Sequence, residues 1–129
     1  MSYRVIRPDE LEWIERPPEV GDAARRVARL SEPAGFQRTR GNMWHFDPGA
    51  VGRRHRDRTQ EETFVVLAGT LTMYLADPPE RVDVPVGGVV HVEAGTVLQT
   101  ANHGDEELRV WAYGAPAEDS DVEFLDSAV

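Results

Sequence analysis

The chain has 129 residues, a formal net charge of −9 and 14 basic residues, all of them arginine. This length suits a single domain, and the negative charge, which repels phosphate backbones, weighs against nucleic acid as a partner. The absence of cysteine and lysine excludes disulfides, thiolate metal sites, thiol nucleophiles and Schiff-base chemistry.

The first 36 residues are predicted to form an arm packed on the rest of the chain. Ala23, Val27 and Leu30 fit one helical stripe, whereas the segment ARRVARL followed by SEPAG also fits an edge strand and a turn. Prolines at positions 8, 17, 18 and 33 limit any helix here to about three turns. We therefore favour short strands laid over the remainder of the domain.

Short apolar stretches separated by Gly, Pro and Asp dominate residues 37–115. Strands are predicted at Gln37–Phe46, Arg53–Asp57, Glu62–Ala68, Thr70–Ala76, Arg81–Val86, Val89–Val92, Val97–Ala101 and Leu108–Tyr113. Many short strands without long helical patterns between them indicate an all-β sandwich or barrel. Residues 116–129 form an acidic tail that we expect to be loose, with Phe124 and Leu125 as a docking point.

Three residues with ligating or acid–base side chains lie close together in the sequence. His55 and Asp57 are two apart, so an extended backbone points both to one side of a sheet, and Glu62 begins the next strand. An imidazole and two carboxylates inside a β-barrel indicate either a metal site or a buried polar network. Buried charge needs compensation, for which the candidates are a metal, a protonated His55 or an inward-facing Arg53.

Aromatic residues alternate on two of the predicted strands. Trp44 and Phe46 share a face, as do Trp111 and Tyr113. Such residues fill a core or line a ligand pocket.

Three arginines, at positions 54, 56 and 58, face away from His55 and Asp57. They indicate an anion site, a dimer contact with acidic segments, or a solvated outer face with local ion pairs. We favour the solvated face, where each pair contributes little.

A first spacing motif links this region to a known family. Cupins show Gly, five residues, His, one residue, His, three or four residues, Glu, six residues and Gly. The corresponding positions here are Gly49, His55, Asp57, Glu62 and Gly69, with Asp57 in place of the second His.

The second motif is Gly, five residues, Pro, one residue, Gly, two residues, His, three residues and Asn. Its positions hold Gly87, Glu93, Gly95, Leu98 and Asn102, so the Pro and the His are both replaced. Over about residues 37–113 the chain thus resembles the cupin superfamily.

The resemblance implies a double-stranded β-helix, a jelly-roll barrel with an open mouth. It implies a small-molecule-binding protein, and the pocket residues that we expect are Trp44, Phe46, His55, Phe64, Leu98 and Trp111. The alternative is a metal-dependent enzyme of the oxygenase, isomerase or hydrolase type, with a weakly held divalent Mn, Fe, Ni or Zn ion on His55, Asp57 and Glu62.

Partners and location follow from the same observations. A small-molecule ligand is expected, together with a homodimer, which the resemblance implies. No apolar run reaches the ~20 residues of a membrane span. The N-terminus MSYRVIRPDE has no apolar signal region, so we expect a cytoplasmic protein that binds neither membrane nor nucleic acid.

Overall fold

Two antiparallel β-sheets make up the computed structural model, which describes residues 2–129. The strands are β1 (Trp13–Arg16), β2 (Arg25–Arg29), β3 (Arg40–Phe46), β4 (His55–Asp57), β5 (Glu61–Ala68), β6 (Thr70–Leu75), β7 (Glu80–Pro85), β8 (Val89–Val92), β9 (Leu98–Ala101), β10 (Leu108–Ala115) and β11 (Val122–Phe124). The short elements are a 3-10 turn at Pro8–Glu10 and the one-turn helix α1 (Ser31–Ala34). The predicted all-β class is confirmed.

The strand order gives a jelly roll of two facing sheets. The six-stranded sheet runs β1-β2-β3-β10-β5-β8, and the five-stranded sheet runs β11-β4-β9-β6-β7. Each sheet joins strands that are distant in sequence, such as β3 with β10 and β4 with β9. This arrangement brings short segments from the whole chain around one interior.

The interior lies between the sheets and is built by strict alternation along β5 and β10. Val66 and Val110 are cross-strand partners, as are Phe64 and Ala112, and all four are buried. Apolar side chains from the opposite sheet complete the core, among them Leu71 and Met73. The period of two in the sequence therefore places one face of each strand in the core.

The N-terminal segment extends a sheet and does not merely lie over the barrel. β1 pairs with β2, and β2 pairs with β3, so these strands continue the six-stranded sheet to its edge. Gly35 ends helix α1 at a φ of 71°, a left-handed conformation that glycine adopts without strain.

Within residues 2–129, no helix has the length and apolar character that a bilayer span needs.

The acidic tail, expected to be loose, instead supplies the edge strand of the five-stranded sheet. Its strand β11 pairs with β4, and Glu123 accepts hydrogen bonds from Arg56 and Arg58. Arg54 forms an ion pair with Asp77 over 3.2 Å. The three alternating arginines thus form local ion pairs, two of them with the chain's own tail, but the Arg54 side chain is only 10% exposed and does not belong to the solvated face that we favoured.

Candidate functional site

A cavity of about 530 Å³ opens between the two sheets. Its apolar surface comes from both sheets and includes Phe46, Phe64, Leu71, Leu98, Val110 and Ala112. Its charged surface is formed by Arg16, Glu19, Arg25, Arg40, Arg53, His55 and Glu62. An apolar cleft with a few convergent polar groups is the usual form of a small-molecule site.

Five of the six expected pocket residues line this cavity, and the structure corrects the prediction for Trp111. That indole lies on the outer face of its sheet, in contact with Gly41 and with its ring centroid 6.3 Å from that of Phe36. It has the opposite parity to Val110, which faces the interior. A Cβ atom at Gly41 would approach Trp111 to 2.5 Å, so the glycine provides the surface on which the indole packs.

His55 and Glu62 face each other inside the cavity from opposite sheets. The distance from His55 Nε2 to Glu62 Oε1 is 3.7 Å. His55 Nδ1 lies 3.0 Å from the carbonyl oxygen of Arg53, to which it donates a hydrogen bond when it carries the proton. In the neutral imidazole Nε2 would then be an acceptor facing a carboxylate, an arrangement that favours protonation.

The pKa of His55 reflects these opposing influences. Burial lowers the pKa, but the Glu62 carboxylate and the Arg53 carbonyl together outweigh burial and the repulsion from Arg40. The net result is a pKa above the ordinary value for histidine. The cavity therefore holds an imidazole whose charged form is stabilised by the protein itself.

Glu62 is buried, and its charge is compensated chiefly by Arg40. Arg40 Nη2 lies 3.2 Å from Glu62 Oε1, while Arg40 Nε donates to the side-chain oxygen of Gln60. Gln60 in turn donates to the carbonyl oxygen of Pro116 over 2.9 Å. Of the compensating groups considered from the sequence, Arg53 is not used here.

Asp57 does not join His55 and Glu62, which corrects the predicted three-residue site. It is the last residue of β4, and its Oδ1 accepts hydrogen bonds from the backbone N–H groups of Thr59, Gln60 and Asp121. Its Oδ2 accepts one from the Ser120 hydroxyl over 2.9 Å. Because the strand ends here, the carboxylate turns to the following loop and secures it to the tail.

The environment of Asp57 fits a structural anion. Burial raises its pKa, but the three backbone N–H donors and the Ser120 hydroxyl outweigh burial and hold the pKa well below the usual range. Asp57 therefore stays ionised and fully hydrogen-bonded outside the cavity.

Several cavity residues were missed, and strand alternation would have identified some of them. Arg40 and Asn42 precede Trp44 on β3 at steps of two and share its cavity-facing side. Arg25 has the same parity as the buried Val27 on β2. The same alternation that places Trp44 and Phe46 on one face also places these polar residues on the face toward the cavity.

Comparisons with known proteins agree with this fold. A family model described as "Cupin domain" matches residues 42–113, more than half of the chain. This protein belongs to the cupin family. No curated protein sequence matches this cupin significantly.

Solved structures share the fold at low sequence identity. A sugar phosphate isomerase of the cupin superfamily from Silicibacter pomeroyi is 20% identical, with a TM-score of 0.79 over 96% of this chain and 83% of that one. A predicted oxalate decarboxylase from Thermotoga maritima is 20% identical, with a TM-score of 0.77 over 88% and 99%. The polyketide cyclase RemF from Streptomyces resistomycificus is 18% identical, with a TM-score of 0.77 over 99% and 88%. These likenesses concern the fold alone.

The residues of this cupin do not fit the divalent metal that the family resemblance implied. Within residues 2–129, no three His, Asp or Glu side chains converge in a metal-binding arrangement. Leu98, which cannot ligate, is the cross-strand partner of His55. The Arg40 guanidinium also contacts Glu62, so a positive group already lies beside the remaining carboxylate.

Proposed function

We propose that this cupin binds a small organic molecule in the cavity between its two sheets. The observation that carries the proposal is the cavity itself, with a volume of about 530 Å³, an apolar surface and an inward-facing imidazole–carboxylate pair. Cavities of roughly 300–1,000 Å³ with this composition bury most of the surface of a small ligand. The apolar side chains supply contact area, and the polar groups fix orientation.

His55 and Glu62 are the groups that we assign to polar recognition. Both side chains are held in place by protein contacts, because Arg40 contacts Glu62 and the Arg53 carbonyl accepts a hydrogen bond from His55. A ligand hydroxyl or carbonyl near Nε2 would receive a hydrogen bond from a protonated imidazole. Recognition through His55 requires no metal.

A second candidate function is proton transfer on the bound molecule. It is favoured by the same pair, because His55 combines a raised pKa with a carboxylate neighbour 3.7 Å away in a partly water-excluding cavity. His55 would exchange a proton with the ligand, and Glu62 would stabilise the imidazolium. The enzymatic candidate therefore requires ligand binding in the same place.

Protein NMR with mixtures of small aromatic acids, aromatic amides and sugars tests the binding proposal. We expect saturable chemical-shift changes at the backbone amides around Phe64, Leu98 and Ala112. Ala112→Phe, which fills the cavity, should remove them, whereas Ala94→Phe in an exposed turn should not. Shifts that scatter over the outer surface, or that survive Ala112→Phe, would overturn the proposal.

A further inference from the structure

The cavity is richer in positive groups than the acidic protein around it. Four arginines line it, at positions 16, 25, 40 and 53, against the two acidic residues Glu19 and Glu62. Arg40 contacts Glu62, and Arg53 Nε lies 3.0 Å from Glu19. The two acids are therefore both engaged, and Arg16 and Arg25 remain.

Arg16 and Arg25 are direct cross-strand partners on β1 and β2. Like charges directly opposite each other on antiparallel strands destabilise the pairing. Within residues 2–129, neither guanidinium has a carboxylate oxygen within 4 Å, and neither donates a hydrogen bond to a side chain or a carbonyl oxygen. Two repelling cations are thus held at one edge of the cavity with no carboxylate in direct contact, and Glu19, whose charge acts on Arg25, is itself paired with Arg53.

Arg25 is positioned by aromatic contacts. Its guanidinium carbon lies 4.9 Å from the ring centroid of Trp44 and 5.6 Å from that of Phe46. Stacking of this kind holds the group in place and leaves its N–H donors free for a ligand. Burial, together with the charges of Arg16 and Arg53, lowers the pKa of Arg25, while Glu19 opposes this effect. An anion bound here would offset the repulsion between Arg25 and the neighbouring arginines and would stabilise the buried charge of Arg25.

The third nearby cation strengthens the positive field. Arg53 lies over the ring of Phe124, with its guanidinium carbon 3.5 Å from the ring centroid. Phe124 belongs to β11, so the tail of the chain contributes to the same edge of the cavity. Glu19, which forms an ion pair with Arg53, is exposed, and its charge also acts on Arg25.

From this arrangement we infer that the ligand of the cavity is a small organic anion, whose anionic group binds Arg16 and Arg25 while its apolar part packs on Trp44 and Phe64. The inference rests on the proposed function, since it names the chemical class of the molecule that the cavity holds. Two guanidinium groups offer paired N–H donors that match the oxygens of a carboxylate or a phosphate. The apolar surface selects anions that carry a hydrophobic body over inorganic ions.

Matched probes test the inference with the full-length protein. We would titrate 2-naphthoate and its neutral analogue 2-naphthamide by isothermal calorimetry and protein NMR at low salt. The naphthoate should bind at least about tenfold more tightly than the amide, with an advantage that shrinks as salt screens the charges. A second pair, 1-naphthyl phosphate and 1-naphthol, extends the comparison to phosphate, and a preference for either charged member supports the anion site.

Variants at the arginines locate the effect. Arg25→Gln and Arg16→Gln should each bring the affinity for 2-naphthoate close to that for 2-naphthamide. Arg29→Gln is the matched control, because Arg29 lies on the same strand outside the cavity. NMR spectra of each free variant confirm that it is folded.

The possible outcomes distinguish failure of the anion inference from failure of the small-molecule-binding proposal. Equal binding of the charged and neutral probes in the cavity would overturn the anion inference and leave the binding proposal intact. No saturable binding of any probe in the cavity would count against both. A charge preference that persists in Arg25→Gln and Arg16→Gln would also overturn the assignment.

Discussion

Leu98 is the cross-strand partner of His55, and it faces the same cavity. The second motif of the family has a histidine at the position of Leu98, so an apolar side chain stands where a further ligand would face the first. Glu62 is in contact with the guanidinium of Arg40. The interior polar cluster is thus an imidazole, a carboxylate and a guanidinium, in which Arg40 already offsets the charge of Glu62 without an added cation.

This arrangement predicts which substitutions would create a metal-binding site. Leu98→His should gain only weak Zn²⁺ affinity, because Arg40 still places a positive charge beside Glu62. The double variant Leu98→His with Arg40→Gln should bind Zn²⁺ at least about tenfold more tightly than Leu98→His, roughly 1.4 kcal/mol or more. Isothermal calorimetry measures both affinities. A stoichiometric metal in the unmodified protein, purified without a tag, would contradict this account of the cavity.

The protonation of His55 gives a second prediction. Its pKa should lie above the ordinary value of about 6.5, and Glu62→Gln should lower it below that value, because burial and Arg40 remain while the carboxylate is lost. Imidazole NMR titration measures the pKa, with Glu80→Gln on an exposed strand end as the control. An unchanged His55 pKa in Glu62→Gln would show that the carboxylate does not control it.

The same shift has a consequence for stability. Because folding raises the pKa of His55, the protonated imidazole stabilises the fold fully below the unfolded-state pKa, about 6.5. This contribution disappears as pH rises through the higher pKa of the folded state. In urea unfolding, the stability difference between the unmodified protein and Glu62→Gln should therefore shrink as pH rises above the unfolded-state pKa, about 6.5, and through the higher pKa of the folded state.

Most of the fold was predictable, because strand alternation and turn residues are local signals. The strand over residues 89–92 was predicted with the bounds that the structure shows, and the family spacing of glycines indicated the barrel. The pairing of the tail with β4 was not predictable, since it joins segments more than sixty residues apart. Phe124 and Leu125 indicated a docking point, but nothing in the local pattern EDSDVEFLD identifies β4 as the strand with which the tail pairs.

The candidate site was predictable only in part, for two physical reasons. Strand alternation predicts that Asp57 points to the same side as His55. Asp57 is the last residue of its strand, however, and its carboxylate instead accepts hydrogen bonds from backbone N–H groups of the following loop. Trp111 shows that alternation identifies two faces without saying which one is inward. That choice depends on cross-strand register, which pairs Trp111 with Met43 and Val65 and turns the indole outward.

Trp111 and Gly41 supply a third prediction. Gly41→Ala should destabilise the fold by about 1–3 kcal/mol, because the added methyl group would overlap the indole unless the indole moves. In the background of Trp111→Leu, the same substitution should cost much less, since the overlap with the indole is removed and only the Phe36 ring, 3.1 Å from the added methyl group, remains close. Urea unfolding of the four proteins measures this coupling. Equal costs in the two backgrounds would show that Gly41 does not serve to accommodate Trp111.

Trp111 also offers a control for the binding proposal. If the indole lies outside the cavity, Trp111→Leu should leave the affinity for 2-naphthoate unchanged while it reduces stability. Trp44→Leu, which changes the cavity surface beside Arg25, should weaken the binding. If Trp111→Leu lost the binding while its NMR spectrum showed a folded protein, Trp111 would have to be counted among the residues that form the ligand site.

Asp57 gives the last prediction, because it secures the loop after β4 to the tail. Asp57→Ala removes the acceptor of three backbone N–H groups and the Ser120 hydroxyl, and it should lower the free energy of unfolding at pH 7 by about 3 kcal/mol. Folding depresses the pKa of Asp57, so its contribution is complete above the unfolded-state pKa, about 3.9, and declines as pH falls below that value. Denaturant unfolding from pH 7 to pH 3 measures the difference, with the exposed Asp105→Ala as the control.

Hydrogen exchange should show that β11 loses protection first in Asp57→Ala, because Ser120 and Asp121 lead directly into that strand. A deficit that is independent of pH, or a β11 that remains as protected as in the unmodified protein, would show that the carboxylate is not what holds the tail.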